Sequence, residues 1–134
     1  MSISLINRKF VVVLIAVFVG LLHFITGPGY NGPLSDFVNG YLIDILLPFA
    51  MYLVLGVAHQ SILPNEFARG IFVFTIGAIA ETLQYFGIPI FGRTFDLLDY
   101  LMFFIGIVLG FFFEKSVLVR IPINIDPTKD KSIK

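Results

Sequence analysis

Cysteine is absent from the 134-residue chain, which excludes disulfide bridges, thiolate metal sites and cysteine nucleophiles. Charge is scarce: 13% of residues carry it, against roughly 25% in a typical soluble domain. The formal net charge is zero, so there is no basic surface for nucleic acid. No H-E-x-x-H zinc site, G-x-S-x-G nucleophile turn, phosphate-binding P-loop or Rossmann fingerprint is present. The two histidines, His23 and His59, fall at opposite ends of the apolar segments described next, which argues against a histidine-rich metal centre. No metal ligand set and no cofactor is assigned, although a hard cation held by carboxylates stays open. Internal repeats and low-complexity tracts are also missing.

What fills the chain is apolar: 57% of residues are hydrophobic, more than a soluble unit of this size can hide. Four apolar segments stand out, about Phe10–Thr26, Tyr41–Ala58, Gly70–Phe86 and Leu97–Phe113. Each is near the ~20 residues that a helix needs to cross a bilayer core. Glycine and proline punctuate the gaps, as in Gly27-Pro28-Gly29 and Gly87-Ile88-Pro89. Arg8 and Lys9 precede the first segment as in a signal peptide. No small-residue cleavage signal follows it, so the segment reads as an uncleaved membrane helix. The predicted architecture is all-α: four transmembrane helices in residues 1–119 and a polar cytoplasmic tail in 120–134.

Basic residues set the expected orientation. Arg8 and Lys9 precede the first helix, Arg69 lies in the second loop, and Lys115, Arg120, Lys129, Lys131 and Lys134 follow the fourth helix. With both ends in the cytoplasm, only Arg93 lies outside. Small residues spaced four apart, Ala16 with Gly20 and Gly106 with Gly110, together with Gly77, Ala78 and Ala80, are expected to let helices approach closely.

The polar residues of the four segments gather at the outer end, while the inner halves read as almost purely apolar. Asp36 and Asn39 lead into the second helix and Asp44 stands about one turn inside it. Glu81 and Gln84 share a face of the third helix, and Asp96 and Asp99 open the fourth beside Arg93. Ionisable groups in a bilayer are expensive and mark function by default, which singles out Glu81, Arg93 and Asp99. Arg93 is the natural partner for one of the carboxylates, and the remaining negative charge suggests protonated carboxyls, a bound cation or a cationic ligand. Plainer roles compete: Asp96 as a helix cap, Gln84 and Asn39 as hydrogen-bonding links between helices, and His23 as an interfacial histidine.

Glu81-Thr82-Leu83-Gln84, Gly92-Arg93-Thr94-Phe95-Asp96-Leu97-Leu98-Asp99 and the pair Gly106 and Gly110 together resemble the signature of the VanZ-like family of small bacterial membrane proteins. The resemblance covers about thirty residues in the second half of the chain. Phe103 departs from it, standing where the family often has asparagine. The family takes its name from low-level resistance to the glycopeptide teicoplanin. The resemblance therefore implies a multi-pass protein of the bacterial plasma membrane with a cell-envelope role, whose ligand-binding residues would be Asp44, Glu81, Gln84, Arg93, Asp96 and Asp99.

Three functions follow as expectations. In the first, the outer site binds or modulates a lipid headgroup, a cell-wall precursor or a glycopeptide. In the second, the chain is a membrane enzyme on a lipid-linked substrate, with Glu81 as acid or base, Arg93 on phosphate and Asp99 orienting. In the third, it is a transporter or an accessory subunit of a membrane complex. The lipid bilayer is the expected environment throughout, and assembly into an oligomer stays open.

Overall fold

The computed structural model describes residues 7–25, 29–58, 63, 65–90 and 95–121. All the regular structure among them is helical: α1 (Arg8–Ile25), α2 (Ser35–Gly40), α3 (Leu42–Ala58), α4 (Glu66–Tyr85), α5 (Leu97–Ser116) and a terminal 3-10 turn (Leu118–Arg120). Four of these match the expected segments. The short α2 was not foreseen. It starts at Leu34, whose φ of 57° lies in the left-handed region that side chains with a Cβ avoid.

The helix ends follow local chemistry. Asn65 caps α4 by accepting from the Phe67 N–H at 2.9 Å, and Asp96 caps α5 by accepting from the Leu98 N–H at 3.0 Å. The Asn65 cap starts α4 at Glu66, four residues before the expected Gly70, so Arg69 belongs to the first turn of a helix and not to a loop.

Helix α3 is the central post: it packs against α5, α1 and α4, and α4 also packs on α5. The contacts run antiparallel between α4 and α5, because Arg69 near the start of α4 meets Glu114 at the end of α5, while Thr82 near the end of α4 meets Tyr100 at the start of α5. Pro48 sits inside α3 and packs beside Gly106. A proline has no N–H, so it leaves the Asp44 carbonyl without its usual helix donor. The α3–α5 crossing is closer than side chains permit. A Cβ at Gly106 would run into the Ile45 carbonyl oxygen, and one at Gly110 would come within 3.0 Å of the Tyr52 ring. This is the small-residue packing expected for that pair. The Ala16 and Gly20 expectation is corrected, because nothing lies within 4 Å of a Cβ at Gly20. Helix α1 turns Val12 and Val19 inward and leaves Gly20 on its outer side.

The buried cluster joins Val12, Tyr52, Leu53, Val73, Ile107 and Leu118. At the start of α1, Arg8 donates from Nε to the Ile121 carbonyl at 2.7 Å and from Nη2 to the Val119 carbonyl at 3.0 Å, joining that helix to the terminal 3-10 turn. Outside the cluster, large apolar side chains face outward. On α1 alone Phe10, Leu14, Val17, Phe18, Leu21 and Phe24 are each more than half exposed. Among the described residues one helical stretch, Leu97–Arg120, is long and apolar enough by length and composition to cross a membrane, and α3 is a shorter apolar helix.

Candidate functional site

Three carboxyl groups from three helices gather at the end of the bundle away from Arg8 and the terminal 3-10 turn. Asp44 lies in the first turn of α3, Glu81 in the last two turns of α4, and Asp99 in the first turn of α5. Glu81 is 3% exposed and Asp99 7%, and Asp44 is partly buried. Asp99 stands near enough to both Asp44 and Glu81 that the three carboxyls would repel one another if all were ionised. The Oε2 atom of Glu81 is buried and finds no hydrogen-bond partner among the described residues.

Position along each helix brings these groups together. Asp96 and Asp99 are three residues apart, as N-cap and first-turn acid, and the Asp99 N–H donates to the Asp96 carbonyl at 3.1 Å. Acidic groups here also suit the positive end of the helix dipole. Asp96 stands at the rim with both carboxyl oxygens engaged: Oδ1 takes the Leu98 N–H, and Oδ2 accepts from the Tyr41 hydroxyl at 3.0 Å. Gln84 turns away from Asp99 and donates to the Ile90 carbonyl at 2.8 Å, tying down the turn after α4. Asn39 donates to the Tyr30 carbonyl at 2.9 Å, and His23 stacks edge-on with Phe24. Arg93, the expected counter-ion, and His59 lie outside the described residues.

Phe103 lies one turn along α5 from Asp99. Its ring is buried against Gly77 on α4, where a Cβ would come within 2.7 Å of it. Gly77 and Phe103 fit each other as bump and notch, and that fit closes the floor of the site with hydrocarbon. A floor of this kind keeps water from the carboxyls and strengthens any interaction they make with a donor or cation entering from above. No group of three or more His, Asp or Glu side chains among the described residues has the arrangement to hold a metal ion.

A second polar cluster, at the opposite end, was missed. Arg69 is 4% exposed and forks onto Glu114, with Nη2 3.0 Å from Oε2 and 3.2 Å from Oε1. Its guanidinium carbon lies 4.8 Å from the centre of the Tyr52 ring. A Cβ at Gly56 would collide with Arg69 Nη1, so glycine makes the room. Beside this pair, Lys115 and Glu66 form a more exposed ion pair at 2.6 Å. The expectation of apolar inner helix halves is therefore corrected: a buried ion pair crosses between α4 and α5. The readable signal was charge order, Glu66 and Arg69 opening one helix and Glu114 and Lys115 closing the next.

No family model, no curated protein and no solved structure matches the chain.

Proposed function

We propose that the chain is a VanZ-like protein of the bacterial plasma membrane that crosses the bilayer four times, with both ends in the cytoplasm. Its outer-leaflet carboxyl site binds or modulates a cell-envelope molecule: a lipid headgroup, a wall precursor or a glycopeptide. The observation that carries this reading is the gathering of Asp44, Glu81 and Asp99 from three separate helices at one end of the bundle, with Glu81 and Asp99 buried. Such groups are costly to hide and are kept where they act on something. The four-span reading draws support from the outward-facing apolar side chains of α1, α4 and α5, among them Phe18, Phe24, Phe67, Leu97 and Phe104.

The site suits a partner that offers hydrogen-bond donors or positive charge, such as an ammonium group. The test is to express the protein in a susceptible bacterium and measure teicoplanin susceptibility beside the Glu81→Gln and Asp99→Asn variants. Reduced susceptibility that both variants abolish supports the reading. A change that persists unaltered in both moves the site elsewhere. An enzyme reading rests on the donor-free Oε2 of Glu81 as proton acceptor, and covalent turnover of a lipid-linked substrate by the purified protein would decide for it.

A further inference from the structure

Between α4 and α5, at the end away from the carboxyl site, runs a groove of about 650 Å³, a size common among ligand pockets. Gly70, Phe74, Ile107 and Phe111 form much of its apolar wall, and Asn65 and Glu66 stand at its mouth. Two features together point to an occupant. The first is length. From Glu66 to Phe74 is eight residues of helix, about 12 Å, close to the roughly 15 Å that one leaflet of a bilayer contributes. The second is charge: Glu66 lines the mouth and Lys115 stands against it, one negative and one positive group side by side, both partly exposed.

We propose that this groove is a binding site for one inner-leaflet phospholipid with a zwitterionic, amine-bearing headgroup. One acyl chain lies along Phe74, Ile107 and Phe111. At the mouth the paired charges open to receive a headgroup of matching pattern, ammonium on Glu66 and phosphate on Lys115. A purely anionic lipid would satisfy Lys115 and face repulsion from Glu66. A choline headgroup carries no N–H to donate to the Glu66 carboxylate. The inference rests on the membrane-spanning reading and concerns the cytoplasmic end, so it is independent of what the outer carboxyl site binds.

The chain contains no tryptophan, so a single introduced indole is a clean reporter. Phe74→Trp places it in the groove, and Phe18→Trp places it on the 62% exposed outer face of α1 as a control. Both proteins are reconstituted in phosphatidylcholine vesicles. A small mole fraction of phosphatidylethanolamine or of phosphatidylcholine is then brominated on its chains, and quenching is measured. The expected result is several-fold stronger quenching at position 74 than at 18 by the brominated ethanolamine lipid. That excess should be absent with the choline lipid and lost on adding Glu66→Gln with Lys115→Gln. Equal quenching at both positions by both lipids would reduce the groove to ordinary annular contact and overturn the proposal. So would an excess that ignores the headgroup, or a position 74 shielded from both lipids while 18 is quenched, the mark of a second copy covering the groove. Absence of quenching at both positions would instead defeat the membrane reading itself.

Discussion

Arg69 of α4 and Glu114 of α5 are joined by three hydrogen bonds of 3.0 to 3.2 Å, with the Arg69 guanidinium resting over the Tyr52 ring of α3. One ion pair thus ties three helices at a single level. Removing one member leaves the other charge buried and uncompensated, which in buried pairs costs roughly 3–5 kcal/mol. Glu114 retains 21% exposure, so Arg69→Met is expected to cost about 3 kcal/mol, the lower end of that range. Arg69→Met combined with Glu114→Leu should recover most of the loss. Unfolding of the purified protein in mixed micelles measures both, and a double variant no better than the single would deny the pair this role.

The α3–α5 crossing gives a paired prediction. Gly106→Ala forces a methyl into the Ile45 carbonyl and Pro48 and should destabilise by about 1–3 kcal/mol, the usual cost of overpacking. Gly20→Ala meets nothing within 4 Å and should be neutral or stabilising by up to about 1 kcal/mol through helix propensity. The same unfolding measurement compares them. Equal effects would mean that the crossing is looser than described.

Tyr41 carries a prediction for the rim of the site. Its hydroxyl donates to Asp96 at 3.0 Å and so ties the start of α3 to the cap of α5. Tyr41→Phe should destabilise by about 1 kcal/mol, the usual net worth of one hydrogen bond. An unchanged unfolding midpoint in the variant would deny the contact this role.

Topology is open to direct labelling on the cysteine-free background. Ser35→Cys and Thr94→Cys should react with a membrane-impermeant thiol reagent in intact cells, and Ser132→Cys should not. The reverse pattern would turn the carboxyl site to the cytoplasm.

Much of this was legible in the sequence, and the exceptions have physical reasons. The four long helices follow from apolar runs bounded by glycine and proline. Asp96 as a cap and Asp99 three residues behind it follow from helix-terminus chemistry. Gly20 misled because a small-residue pair does not say which side of its helix faces a neighbour, and here that side faces outward. Arg69 misled because a basic residue near an apolar run reads as a flank, whereas Asn65 starts the helix early enough to carry Arg69 into the packed interior. Tyr52 as its ring partner, and Gly56 as the space that admits it, lie on a different helix and become visible only once α3 is set between α4 and α5. The Phe103–Gly77 fit depends likewise on register between two helices, which no local pattern encodes.

The Arg8 clamp onto the Val119 and Ile121 carbonyls brings the first helix and the last turn of the folded body to one spot. A short linker between these two points would close the described body into a ring, the arrangement that circular permutation needs.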